Sequence, residues 1–162
     1  MILDKMKLAG KVGVVTGASR GLGKSMAIGL AEAGANIAIV SRGMPDLLEV
    51  AKEIRTIGKK VLPISADVSN LKQANEMVEK VMAEFGRIDI LANNAGTTIR
   101  MKVEDFTEEA WDQVMAVNLK GAFFCAQAVG KVMIKQMSGK IINTASLLSA
   151  IGGPNAIAYA AT

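Results

Sequence analysis

The sequence has no histidine, which removes the commonest general base at neutral pH and any Cys/His zinc cluster. Acid-base chemistry must therefore come from other groups, and no metal site is expected. A single cysteine excludes an internal disulfide. Cys125 sits in the apolar stretch Ala122-Phe123-Phe124-Cys125-Ala126, so it reads as a small buried hydrophobe in a reducing cytoplasm. Basic runs are also missing. The net charge of +4 is spread along the chain, which argues against a nucleic-acid partner. Long apolar runs are absent too, and Asp4, Lys5 and Lys7 carry charge where a signal peptide would need its apolar core. A protein without a membrane partner is expected.

What is present is enough for one core. With 162 residues, 51% hydrophobic and 21% charged, the chain fits a single α/β domain spanning residues 1–162. An apolar strand, an amphipathic helix and a glycine stop recur along it. The expected strands are Val12 to Val15, Asn36 to Ser41, Val61 to Ser65, Ile88 to Ala92 and Lys140 to Thr144. The first helical pattern begins near Lys24 and stops at Gly34; the second starts at Pro45 and stops at Gly58. Ala74, Met77, Val78, Val81, Met82 and Phe85 mark the third, ended by Gly86. Thr107 is the expected N-cap of a long helix running to about Met137, bent or broken near Gly121. Strands that are apolar on both faces and alternate with helices predict a doubly wound parallel sheet.

Between the first strand and the first helix lies Thr16-Gly17-Ala18-Ser19-Arg20-Gly21-Leu22-Gly23. Three glycines at a strand-to-helix junction suit a dinucleotide pyrophosphate, which can approach the outward-pointing N–H groups of a first helical turn only where no Cβ intervenes. Gly17, Ser19, Arg20, Gly21, Leu22 and Gly23 are the candidate contacts. The end of the second strand speaks to the cofactor. A carboxylate there would bind a free ribose 2′-OH and repel a 2′-phosphate, but the sequence has Ser41 followed by Arg42. Arg42, with Arg20 opposite, could pair with phosphate, so NADP(H) is favoured and NAD(H) is the alternative.

Four further features follow in order. Asn93-Asn94-Ala95-Gly96 comes after the fourth strand, Asn118 lies in the long helix, Ser146 follows the fifth strand, and Tyr159 comes after it. Together with the glycine turn, these motifs resemble the short-chain dehydrogenase/reductase family over essentially the whole chain. Within it the chain looks like the 3-oxoacyl carrier-protein reductases and the gluconate and deoxygluconate dehydrogenases. The resemblance implies a Rossmann fold with strand order 3-2-1-4-5. It implies that Tyr159 is the catalytic acid-base, that Ser146 orients and polarises the substrate, and that Asn118 supports a proton relay. It also implies that Asp67 and Val68 meet the adenine, and that Asn94, Ala95 and Gly96 line the cofactor beside Tyr159. By itself Asp67 also reads as a loop residue capping the next helix. Gly96-Thr97-Thr98-Ile99-Arg100 looks more like the sugar-acid group, with Arg100 placed to meet a substrate carboxylate.

The same resemblance puts a lysine four residues after the tyrosine, and the sequence ends at Thr162, one position short of it. The expectation is a domain that is incomplete at its C-terminus and lacks later strands, with an open apolar edge at the fifth strand. Two functions are then weighed. The first is hydride transfer between a nicotinamide and a secondary alcohol or ketone, either a sugar acid or a 3-oxoacyl substrate, by an enzyme that forms dimers or tetramers. The second is an inactive nucleotide-binding module.

Overall fold

Five apolar segments become the strands of one parallel sheet. In a computed structural model, which describes residues 6–162, these are β1 (Val12–Thr16), β2 (Asn36–Ser41), β3 (Val61–Ser65), β4 (Ile90–Asn93) and β5 (Lys140–Asn143). Residues 1–5, which hold part of the charged N-terminal stretch read above, lie outside the described residues. The strand order is β3-β2-β1-β4-β5, as the resemblance implied. At the centre, Val15 of β1 is in register with Ile39 of β2 on one side and Ala92 of β4 on the other.

Helices cover both faces. They are α1 (Gly21–Glu32), α2 (Met44–Thr56), α3 (Leu71–Phe85), α4 (Glu108–Met115), a π-helical segment (Ala116–Gly121), α5 (Ala122–Gln136), and the short α6 (Leu148–Ile151) and α7 (Ile157–Ala160). Alternate residues of β2 face opposite layers. Ile37 and Ile39 pack with Ala27 and Ala31 of α1 and with Leu47, Val50 and Ile54 of α2. Ala38 and Val40 pack with Met77 and Val81 of α3 and with Cys125 and Val129 of α5. A strand buried on both sides needs apolar residues at every position, which is why β1 and β2 read as unbroken apolar runs.

Several element ends differ from the sequence reading by one to three residues, and two short helices were not foreseen. α1 begins at Gly21, not near Lys24, because the glycine turn itself supplies the first helical residues. β4 begins at Ile90, not Ile88, because both backbone polar groups of Ile88 are taken by the Gln136 side chain. The two short helices α6 and α7 carry no periodicity that a sequence could display. The long helix fits its expectation. Thr107 caps α4 by accepting the Ala110 N–H, and the break near Gly121 is the π-helical segment. Cys125 is fully buried, and burial pushes its thiol up to about 11, as fits a small hydrophobe.

All four residues of β5 are exposed. Among the described residues, no helix is long and apolar enough to cross a membrane, and no group of His, Cys, Asp and Glu could hold a metal ion.

Candidate cofactor and active site

The glycine turn leaves β1 and enters α1 under two steric constraints and one freedom. A Cβ on Gly23 would collide with the Gly17 carbonyl, and one on Gly17 (φ +67°) would lie 2.9 Å from Ala95 Cα. The turn is therefore closed tightly against the segment after β4. Gly21 differs. Its φ is +56°, and a Cβ there would meet nothing within 4 Å, so the space in front of the first turn of α1 is open. That turn has no side-chain cap and no acidic residue, whereas α3 and α4 are capped by Asn70 and Thr107. Uncapped N–H groups facing an open cradle fit a pyrophosphate. Leu22 and Arg20 are exposed at its rim, and Ser19 is half-buried.

Thr16 closes the turn from below. It is fully buried, and its hydroxyl accepts the N–H groups of Asn94 and Ala95, each at 3.0 Å. The Asn94 amide then donates to the Thr16 carbonyl at 3.2 Å, and its oxygen accepts the Thr144 hydroxyl at 3.3 Å. Asn94 and Ala95 are thus held beside the glycine turn, while a Cβ on Gly96 would lie 3.6 Å from Asn118 Oδ1. Sequence reasoning gave Thr16 no role of its own. Its only signal was a polar residue ending an otherwise apolar strand.

At the end of β2, Ser41 donates its hydroxyl to the Gly43 carbonyl at 3.3 Å, and Ser65 donates to the Arg42 carbonyl at 2.8 Å. These bonds fix the backbone while the Arg42 side chain projects into solvent. Neither Arg42 nor Arg20 makes a hydrogen bond or ion pair among the described residues, so both guanidinium groups are available to an anion. Asp67 is engaged locally: one carboxylate oxygen accepts the Ser69 N–H at 2.9 Å and its hydroxyl at 2.7 Å. It does not cap the next helix. Asn70 does that, accepting from Lys72 and Gln73, because it lies immediately before the first turn of α3. Val68 is buried beside Asp67.

Asn118 lies in the π-helical segment, a local geometry frequent at functional sites. Its oxygen accepts the Thr97 N–H at 2.8 Å, and its amide donates to the Thr97 carbonyl at 3.0 Å and to the Thr162 hydroxyl at 3.2 Å. That hydroxyl in turn donates to the Tyr159 carbonyl at 3.0 Å, so Asn118 and the helix bearing Tyr159 are linked by two bonds. Tyr159 is half-buried on α7, and its phenol makes no hydrogen bond among the described residues. Ser146 accepts the Leu148 N–H at 3.2 Å at the start of α6, and α6 and α7 pack on each other. Arg100 is exposed and, among the described residues, unpaired, in a loop tied to the α6–α7 connection by the Met101 N–H to the Asn155 carbonyl. Two shallow surface depressions lie elsewhere, one of about 390 Å³ between β3 and α3 and one of about 620 Å³ along α3, and none of the candidate cofactor or catalytic residues lines either.

These placements can be set beside known proteins. Over 163 aligned residues the chain is 44% identical to 2-dehydro-3-deoxy-D-gluconate 5-dehydrogenase of Dickeya dadantii, covering all of this chain and 64% of that protein. Over 153 residues it is 42% identical to a 3-oxoacyl-(acyl-carrier-protein) reductase of Staphylococcus epidermidis, covering 94% of this chain and 63% of that one. The chain therefore spans just under two thirds of the length of these relatives. Among solved structures, a short-chain type dehydrogenase/reductase from Mycobacterium marinum superposes with a TM-score of 0.95 at 36% identity, over 99% of this chain and 65% of the other. An NAD⁺-bound xylitol dehydrogenase superposes at 0.93 with 35% identity, over 96% and 60%. The model of the short chain dehydrogenase family matches residues 11–162, nearly the whole chain, and the chain belongs to that family.

Proposed function

We propose that this chain carries the cofactor-binding and catalytic residues of an NADP(H)-dependent oxidoreductase acting on a secondary alcohol or ketone. The observation that carries this reading is the open, uncapped first turn of α1 at Gly21, held beside Asn94 by the Thr16 hydroxyl. Gly17, Ser19, Gly21, Leu22 and Gly23 would hold the pyrophosphate, Asp67 and Val68 the adenine, and Asn94, Ala95 and Gly96 the nicotinamide half. The unpaired Arg20 and Arg42 would take a 2′-phosphate, which favours NADP(H); the NAD⁺ of the xylitol dehydrogenase supports NAD(H) as the alternative. When bound, the nicotinamide supplies a hydride donor or acceptor.

The protein's own groups handle the proton. The Tyr159 phenol, free of internal partners, exchanges a proton with the substrate oxygen, Ser146 donates a hydrogen bond to that oxygen, and Asn118 orders the path by which the proton leaves. Arg100 would pair with a substrate carboxylate, which favours a sugar acid, as in the Dickeya relative, over a 3-oxoacyl thioester. The lone buried thiol suits a reducing cytoplasm, and exposed Leu119 and Phe123 on the long helix suit a homo-oligomer contact. An inactive nucleotide-binding module is the second reading.

NADPH fluorescence on titration tests the site. Gly21→Glu puts a carboxylate into the cradle and should abolish binding; unaltered binding would remove the pyrophosphate assignment. Turnover of keto acids and 3-oxoacyl substrates separates the two readings. An oxidoreductase loses activity by orders of magnitude in Tyr159→Phe while still binding NADPH, whereas the module binds NADPH and turns over nothing.

A further inference from the structure

Asn93 ends β4 and is only 6% exposed, yet the cofactor assignments begin one residue after it. Both protons of its amide are used: Nδ2 donates to the Ala122 carbonyl at 2.7 Å and to Asn143 Oδ1 at 3.1 Å. Ala122 is the first residue of α5, directly after the π-helical segment that holds Asn118. Asn118 in turn grips Thr97 through both of that residue's backbone groups, and Thr97 lies four positions beyond Asn93. The contacts form a closed ring from Asn93 to Ala122, back along the π-helical segment to Asn118, across to Thr97, and along the loop to Asn93.

We propose that Asn93 is a positioning residue that sets the Asn118 amide by fixing the end of the π-helical segment against the sheet. The functional part rests on the proton-path reading of Asn118 given above. A π-helical turn is a costly local geometry that persists only where its surroundings hold it. Asn93 supplies such a hold, and the Asn143 contact ties the same amide to the strand that leads to Ser146.

Asn93→Asp keeps the shape but turns the donor facing Ala122 into an acceptor. Asn143 can rotate its own amide to donate to the new carboxylate, so the mismatch falls on the Ala122 carbonyl. Amide hydrogen exchange across residues 116–123 should quicken about tenfold or more relative to α3, as for a lost buried hydrogen bond. In turnover with NADPH, kcat should fall about tenfold while KM for NADPH changes less than about threefold, since the pyrophosphate cradle is untouched. The exposed Asn75→Asp controls for added charge and should change neither readout. Should Asn93→Asp fail to fold, the neutral Asn93→Ser, too short to reach Ala122, takes its place with the same expectations. Unchanged exchange at 116–123, equal quickening in every helix, or faster exchange with unaltered kcat would each overturn the proposal. If the wild type neither binds NADPH nor turns over substrate, the functional reading fails, and the exchange comparison still decides whether Asn93 holds the segment.

Discussion

A single hydroxyl does two jobs at Thr16. Replacing it by valine keeps the volume and removes the acceptor, leaving the Asn94 and Ala95 N–H groups without their partner. Thr16→Val should cost about 2 kcal/mol or more in urea unfolding, and should weaken NADPH binding because the Asn94 segment loosens. Arg42 belongs to the opposite class, exposed and without a protein partner. Arg42→Ala should leave stability unchanged and weaken NADPH by about 1.5 to 3 kcal/mol, with little effect on NADH. Equal losses for the two cofactors would return Arg42 to the ordinary surface. At this scale the glycine turn was legible as a strand-to-helix junction, and Asn118, Ser146 and Tyr159 were singled out by the family resemblance, whereas Thr16 and Asn93 bond to partners far away in sequence, which no local pattern encodes.

Elements were predicted well where one face is buried and poorly where side chains take over backbone bonding. α3 shows the first case, with Ala74, Met77, Val78 and Val81 all buried along one stripe. The entry to β4 shows the second. Asp89, 5% exposed, accepts from Arg87 at 2.6 and 2.7 Å, from Lys11 at 3.1 Å and from the Val12 N–H at 3.0 Å, all just before the strand begins. Burial pushes the Asp89 carboxyl up, but these hydrogen bonds and the Arg87 charge outweigh it and hold the group below its ordinary value. A carboxyl lowered in the folded state stabilises the protein fully above its unfolded value of about 3.9. That contribution is lost as pH falls through the folded value. Asp89→Ala should therefore cost about 2 kcal/mol at pH 7, mostly through the buried Val12 N–H, since Lys11 and Arg87 are solvent-screened. The gap between wild type and variant in urea midpoint should narrow as pH falls below about 3.9, as the charge-dependent part is lost; a gap constant with pH would assign the loss to the Val12 hydrogen bond and packing alone.

Across the whole molecule, the doubly wound sheet agrees with expectation because buried parallel strands impose unbroken apolar runs that sequence alone displays, and its strand order agrees with what the family resemblance implied. The exposure of β5 was also anticipated. Ile141 and Ile142 are 39% and 53% exposed, and no strand covers the outer edge of β5 among the described residues. Ile142→Lys should reduce concentration-dependent self-association in sedimentation velocity while leaving NADPH binding intact, because the edge and the cradle lie on different elements. Loss of NADPH binding in that variant would show that the two are coupled.

The bond from Thr16 to Asn94 joins residues far apart in the chain. A ribosome delivers the glycine turn, α1 and three strands well before it delivers the residues that lock them. Until β4 docks beside β1, the nascent chain has the uncapped amides of α1 but lacks the contacts that close the turn against β4. The cradle should therefore be among the last parts of the sheet to mature, and affinity for the cofactor should rise abruptly once β4 has emerged and paired.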